Sequence, residues 1–530
     1  MTFITSYKKL YCQEAKRNLF LTGIGILSLF IALPLYFLQQ ISTTEGNYGV
    51  RFQNISGDMI REKYNVLYNV TYGNYFLVAV TAFLAVLNGI VLFSYLSSRK
   101  KQDFYFGQPM SRGTLFRMYI ILGISNIVIP SLINGVLVLL VAGLHSSLYL
   151  AFVTMLIQST LVNCLLYLSV FALTVLAAVL TGKLIFSVLG TAVFLFYFPA
   201  CFIVLDSMFH YRLYSLSIPL SNIYLFSPIT IGMQLYRKIS RSFWFIDNPE
   251  LQVYHYETLL VVTLGIIFIV ALALAWMLYQ KRRSEETGKS LVFKATKGVI
   301  KAFLVAFAAI GTSVLFVKNL GEVDKTYWLA GATIGTLAGI YLIDVMLEQS
   351  WRASFKKWKV QWIYVLVSLS VFSGILWQKE SLRYHGFDDI PKNYTVEQAI
   401  KDNCVIEKNE KISNGKDVWD AFYDKVKNGE EAKVRIVHLT DWKGMFHYID
   451  LVYKDNTITR YNSFSPYDKT VETMYLLKLT GKMSEQEKTK SYYVFSERKD
   501  MTFEQYRKSV KEDDYVLNFN YWCFLEAEEE

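Results

Sequence analysis

The stretch LAFVTMLIQSTLVNCLLYLSVFALTVLAAVL, Leu150–Leu180, runs for 31 residues without a charge. A bilayer core is about 30 Å thick, and a helix needs about 20 apolar residues to cross it because unpaired backbone groups are too costly in hydrocarbon. This run crosses with length to spare, enough to tilt or to hide a break. Eight further segments meet the same requirement, at approximately 18–38, 74–96, 117–144, 184–205, 257–279, 301–317, 328–347 and 361–377. The seventh and ninth in chain order are at the short end. The expected class is a polytopic α-helical membrane protein with about nine transmembrane helices.

Composition agrees. Of 530 residues 53% are hydrophobic, 16% aromatic and 18% charged, against roughly 25% charged in soluble domains. Residues 1–377 carry 30 Lys+Arg and 15 Asp+Glu, and residues 378–530 carry 24 and 29. The first part is thus net positive and the second net negative, which marks a membrane protein with a soluble C-terminal domain. A soluble enzyme is excluded for residues 1–377. Nucleic acid is not an expected partner, because the cations sit in short segments beside apolar runs rather than in one stripe.

Those cations set the orientation. With the N-terminus inside, internal segments hold 21 Lys+Arg, among them Lys16, Arg17, Arg99, Lys100, Lys101, Arg112 and Arg282; external loops hold 9. Nine spans then place residues 378–530 outside, and the expected arrangement is a multi-pass chain in a cell membrane with a cytoplasmic N-terminus. The first apolar run lacks a small-residue cleavage site and reads as a retained span. Two flanking stretches look interfacial: Phe3, Tyr7, Leu10 and Tyr11 among Lys8, Lys9, Lys16 and Arg17, and Trp351, Phe355, Trp358 and Trp362 among Arg352, Lys356, Lys357 and Lys359. Such helices lie along the headgroups of the lipid bilayer.

Catalytic chemistry is not legible. Asp206, His145 and Asp344 stand at span ends, so a coupling-ion site inside the membrane is not expected. Gly288-Lys289-Ser290 lacks the earlier glycine of a phosphate loop, where Arg283 stands, and no strand precedes it. No metal-ligand spacing is present, and no metal or cofactor is expected on this chain. Gly331, Gly335 and Gly339 form a small-residue series that lets a neighbouring helix approach, within the chain or across a dimer. Cys12, Cys164 and Cys201 lie in or beside apolar segments. Cys404 and Cys523 fall in the C-terminal domain, where either a disulfide or two unpaired thiols would fit.

The first internal loop, Ser94-Tyr95-Leu96-Ser97-Ser98-Arg99-Lys100-Lys101-Gln102-Asp103-Phe104-Tyr105-Phe106-Gly107-Gln108-Pro109-Met110-Ser111-Arg112, reads as a basic helix ended by Gly-x-Pro, with Ser-Arg restarting the chain. A short rigid element with aromatic residues suits docking into another protein's groove. The loop resembles the basic-aspartate-aromatic run and Pro-x-Ser-Arg of the permease subunits of type-2 ABC exporters in low-GC Gram-positive bacteria. The segment Arg282–Ser290 is similar to the Arg-x-x-Glu-x-x-Gly segment after span six in a subgroup with extra spans and a C-terminal extracytoplasmic domain. Gln108 departs from the pattern, standing where relatives often have an apolar residue.

The resemblance implies an amphipathic helix over 1–17, a six-helix ABC exporter permease core over 18–280, three additional spans over 281–377 and a soluble α+β domain over 378–530. It implies no catalytic site on this chain. ATP and Mg would be held by a separate ABC ATPase present in two copies, beside a second permease copy or paralogue. Arg99, Asp103, Phe104, Tyr105, Gly107, Pro109 and Arg112 would belong to the surface that meets the ATPase, the plain alternative being an ordinary basic loop. The apolar connection 206–256 would carry short re-entrant helices. The substrate class left open is peptide, drug or lipid-like. Readings from other classes are a membrane-anchored sensor whose external domain binds a ligand, and a secondary transporter.

Within 378–530, Phe446–Tyr453 and Thr457–Tyr461 read as a hairpin, and Val434–Leu439 and Tyr492–Ser496 as strands. Helices are expected over Thr395–Lys401, with Thr395 as cap and Gln398 three on, and over Val418–Val426, Val471–Leu479 and Phe503–Val510.

Overall fold

The computed structural model describes residues 3–55, 60–108, 110–208, 225–244, 256–315, 325–352, 361–367, 369–370, 373–374, 384–391, 394–408, 411–439, 446–455, 457–463, 465–472, 475–482, 489–496, 499–511 and 521–528. The chain divides into two compact units, a helical one holding every helix up to Leu369 and a second one over Ser370–Glu530.

The helical unit begins with α1 (Phe3–Arg17). Next come α2 (Leu19–Phe30), a π turn (Ile31–Leu35) and α3 (Tyr36–Tyr48), which together make one long apolar span. Pro34 sits inside the π turn, where its missing N–H breaks the regular ladder. In the same turn, Asn74 Nδ2 donates to the Ala32 carbonyl at 2.7 Å and ties this span to the start of α5. The chain continues through α4 (Ile60–Thr71), α5 (Tyr75–Leu92), α6 (Arg99–Phe106), α7 (Arg112–Leu144), α8 (Leu150–Leu180) and α9 (Leu184–Met208). It closes with α10 (Pro228–Trp244), α11 (Thr258–Lys281), α12 (Lys294–Leu315) and α13 (Lys325–Glu348).

Among the described residues eight helical stretches are long and apolar enough to cross a membrane, and they suggest a membrane-embedded chain. They match the first eight expected spans in order. The ninth, 361–377, falls partly outside the described residues; 361–367, 369–370 and 373–374 are helical. Of the expected connection 206–256, α10 is described and packs against α5, α8 and α11.

α8 is the central helix, buried along its second half and flanked by α5, α7, α10 and α11. Without a hydrophobic drive in lipid, small residues and hydrogen bonds hold such helices together. A Cβ on Gly123 of α7 would enter the Phe171 ring, and one on Gly89 of α5 would stand 2.7 Å from Thr174 Cβ. Tyr167 donates to the Gly123 carbonyl at 3.0 Å and Ser169 to the Leu264 carbonyl at 2.9 Å. Thr22, Asn126 and Asn88 form a chain across α2, α7 and α5 at 2.8 and 2.6 Å.

The glycine series of α13 lies against α12. A Cβ on Gly335 would sit 2.7 Å from the Ala308 carbonyl, one on Gly339 2.8 Å from Ala308 Cβ, and Thr312 donates to the Gly331 carbonyl at 3.0 Å. Asp344 is an ion-pair partner: Lys301 Nζ meets its Oδ1 at 2.7 Å with both side chains 10% exposed, and Gln361 donates to Oδ2 at 3.3 Å.

The second unit is built on one nine-stranded sheet: β1 (Val405–Lys408), β2 (Lys411–Asn414), β3 (Ala432–Leu439), β4 (Phe446–Lys454), β5 (Thr457–Asn462), β6 (Ser465–Glu472), β7 (Tyr475–Gly481), β8 (Lys490–Ser496) and β9 (Tyr521–Glu528), in the order β6-β5-β4-β3-β1-β2-β9-β8-β7. Its helices are α14 (Val396–Lys401), α15 (Lys416–Asn428) and α16 (Phe503–Lys511). The expected hairpin is β4–β5, and α14 starts with the full Thr395–Gln398 capping box. Alternation sorts the faces. Ile449 and Leu451 join Trp419 and Phe422 of α15 on one side, while Ile406, Val437 and Tyr448 pack with Ala399 of α14 on the other. On that second side Asp450, fully buried, accepts from Arg435 Nε at 2.6 Å, Tyr384 Oη at 2.7 Å and Lys433 Nζ at 3.0 Å. Tyr384 stacks on Tyr461 at 3.8 Å, so the entry segment of the unit is fastened to the sheet.

One expectation fails here, and one open alternative is decided. Val471–Leu479 is not a helix but the end of β6 and most of β7. Pairing with β8 sends Leu476 to the Trp419 cluster and Leu479 to that of Met501 and Tyr506, and tertiary pairing overrides the local spacing. The Cys404–Cys523 bridge is not formed. Cys404 is a free, buried thiol beside Ala399 and Val437. It leads into β1, two strands from β9, a separation of about 9–10 Å against a disulfide reach of about 7 Å.

Candidate functional site

Of the seven residues singled out in the first loop, the six that are described lie at one end of the helical unit. Ser98, in extended conformation, precedes α6, and Gly107 ends it. Gly107 has ordinary right-handed geometry, and a Cβ there would press on the Asp103 carbonyl at 3.0 Å. Ser111 then caps α7, accepting from the Thr114 amide at 3.1 Å. Pro109 lies outside the described residues. The eight-residue helix α6 has two faces: Gln102 and Tyr105 are buried, while Lys100, Lys101, Asp103 and Phe104 are exposed, Phe104 by 61%.

The buried face is tied to three elements. Tyr105 donates to Glu14 Oε1 at 3.0 Å and Tyr119 of α7 donates to Oε2 at 3.2 Å; Arg17 pairs with the same carboxylate at 2.8 Å. Glu14 is thereby buried on α1, an amphipathic helix whose Leu10, Tyr11 and Ala15 also pack on the core. Tyr95, between α5 and α6, stacks on Tyr119 at 5.1 Å and meets Tyr105 in a tilted contact at 5.0 Å, and its hydroxyl meets that of Tyr279 at 2.8 Å.

The third tie is the segment after α11. Arg282 is fully buried, and its guanidinium donates to the carbonyls of Ala178, Val179 and Thr181 at 3.0, 2.6 and 2.8 Å and of Leu96 at 2.7 Å. Those of Ala178, Val179 and Thr181 lie at the C-terminal end of α8, where free carbonyls and the helix dipole favour a cation. Burial lowers the Arg282 guanidinium to about 10, with Tyr95 and Tyr279 acting the other way, so it keeps its charge at neutral pH. The segment then crosses the Thr181–Gly182 corner. Gly182 donates to the Lys289 carbonyl at 3.1 Å, the Gly288 amide to the Gly182 carbonyl at 2.9 Å and the Val292 amide to the Leu180 carbonyl at 2.9 Å. Gly288 has φ +96° and Gly182 has no room for a side chain, its Cβ position lying 2.9 Å from the Glu286 carbonyl.

α6 and α7 reach this segment directly. Arg99 Nε donates to the Thr287 carbonyl at 3.2 Å, Thr287 bonds Gln102, and Arg112 donates to the Arg282 carbonyl at 2.7 Å while its guanidinium lies 4.4 Å from the centre of the Phe106 ring. Five of the seven thus divide. Arg99, Tyr105 and Arg112 are used inside the junction, whereas Asp103 and Phe104 face outward.

Sequence reading missed Glu14, Gln102, Tyr119 and the buried state of Arg282. The only available signal was the pairing of one acid with the basic α1. Chemically the junction can transmit displacement, since one short helix is bonded to α1 and to the Thr287 segment, whose Arg282 in turn holds the end of α8. Among the described residues no His, Cys, Asp and Glu group is arranged to hold a metal. Elsewhere, an apolar cavity of about 470 Å³ lies among α8, α9, α12 and α13, lined by Phe194, Tyr197, Phe307 and Leu342 and suited to an apolar guest. No family model, no curated protein and no solved structure matches the chain.

Proposed function

We propose that this chain is the permease subunit of an ATP-driven exporter, worked by a separate ATPase that docks on α6. The observation that carries this reading is the division of α6. Tyr105 and Gln102 on its buried face bond to α1 and to Thr287, Arg112 of α7 lies over its Phe106 ring, and its other face offers an exposed aromatic ring beside a carboxylate. A ring of this kind filling a partner's groove is the usual anchor of such contacts. Closure of the ATPase pair would displace α6, and the junction would pass that displacement to the spans. The coupling requires the ATPase to bind the two permease states with different affinity. On this reading the α6 end is cytoplasmic, and residues 378–530 lie across the membrane when 361–377 forms a ninth span.

The test is purification of tagged protein from its native membrane in mild detergent, with quantitative identification of what accompanies it. A stoichiometric P-loop ATPase is expected, reduced at least about 30-fold by Asp103→Ala/Phe104→Ala together. Because both side chains are exposed, the melting temperature should stay unchanged. Recovery of folded protein without an ATPase in several detergents, or an ATPase indifferent to the double substitution, sinks the reading.

A further inference from the structure

Beside the junction, a cleft of about 490 Å³ lies between the start of α2, the end of α5 and α6. α2 begins at Leu19 and α5 ends at Leu92, so the cleft sits where two spans leave the hydrocarbon at the same end. Its polar side carries Arg17, Lys100 and Lys101, and its apolar side Phe20, Val91 and Leu92. Arg17 already pairs with Glu14, whereas neither lysine has an acidic partner among the described residues. Asp103, on the same helix, does not line the cleft. The three cations less Glu14 leave a local charge of about +2 where headgroups lie, and basic pockets between helix ends at that depth are places where acidic lipid headgroups bind.

From this geometry we propose that the cleft binds the phosphate of an anionic phospholipid. Lys100 and Lys101 hold the phosphate oxygens, with Arg17 completing the positive wall. The volume takes a glycerophosphate headgroup and not a whole lipid. The chains run over the exposed Phe20, Ile24 and Leu27, which share one face of α2. A zwitterionic choline lipid brings its own cation into the same space and is disfavoured. Phe104 also lines the cleft, but the variants used here leave it and Asp103 intact, so this site and the ATPase reading can fail separately.

The experiment is native mass spectrometry of the full chain in detergent, titrated with phosphatidylglycerol, with phosphatidylcholine and with inorganic phosphate. The tightest phosphatidylglycerol site should weaken about fivefold per lysine, roughly 25-fold in Lys100→Gln/Lys101→Gln. It should persist in Lys100→Arg/Lys101→Arg. It should also persist in Lys281→Gln/Arg283→Gln, which removes the same charge from exposed positions of the same region. Equal loss in the control pair would reduce the effect to net charge and overturn the site. Displacement of the lipid by millimolar phosphate would reassign the cleft to a soluble phosphate, and equal binding of phosphatidylcholine would overturn the charge argument.

Discussion

Replacing Arg282 by Met keeps much of the side-chain volume and removes every donor from the end of α8. Four carbonyl oxygens, those of Leu96, Ala178, Val179 and Thr181, then lose a charged partner in a place without solvent. A buried group left without its hydrogen bond costs about 1–3 kcal/mol, and removing one side of a buried charged network about 3–5 kcal/mol. Some of the carbonyls share one nitrogen and will relax together, so the lower figures apply: about 3–5 kcal/mol in all, a large share of a typical stability. Arg282→Lys keeps the charge but loses the planar fork that spans α8 and the Leu96 turn, for a loss of about 1.5–3 kcal/mol. The assay is thermal unfolding in detergent followed by tryptophan fluorescence, with size-exclusion recovery as a second readout. The expected order of melting temperature is wild type, then Lys, then Met, with Arg283→Met, an exposed neighbour, unchanged. A Met variant that melts with the wild type would refute the view that Arg282 closes the end of α8.

Two further outcomes follow from side chains described above. Asp344→Leu alone should cost about 3–5 kcal/mol by leaving Lys301 buried and unpaired, whereas Lys301→Met/Asp344→Leu should recover most of it; a double variant no better than the single would show that the pair acts through something other than mutual neutralisation. In the second unit His447 is pushed down to about 4, by burial first and then by His438 and Arg460. His438, its ring centre 4.5 Å away and tilted to it, is also lowered, again by burial first, and contacts Glu407. The unfolded chain therefore binds more protons between about pH 6.5 and 4, and stability falls as pH drops through that window. Hydrogen exchange of β3 and β4 in the full chain should quicken there, and His447→Gln should flatten the change. Asp450 is lowered because its hydrogen bonds from Arg435, Tyr384 and Lys433 outweigh burial, so its loss falls below the histidine window.

Hydropathy made the spans legible because the bilayer imposes length and composition directly: 257–279 was expected and Thr258–Lys281 is found. Local chemistry was legible where partners are close in sequence, as at Thr395 and Gln398. What escaped depends on distant backbone. Arg282 counted as one more inside cation, since four carbonyls that only the fold assembles leave no trace in residue type. Glu14 drew no reading from the sequence, because the two tyrosines that bury it stand far along the chain. The spacing of Val471–Leu479 suits a helix as well as a strand, and the choice was made by β8. Of the candidate docking residues, sequence could not separate the side chains the junction consumes from those it leaves outward.

The sheet of the second unit carries an order of events. β9 lies between β2 and β8, although it comes from the far end of the unit in sequence. Until residues 521–528 have left the ribosome, β6-β5-β4-β3-β1-β2 and β8-β7 are two separate pieces with open edges facing each other's missing neighbour. An edge left unpaired during synthesis invites pairing with another chain. The sheet can therefore close only once residues 521–528 are available, and a chain stalled before Tyr521 carries two open edges in place of one continuous sheet.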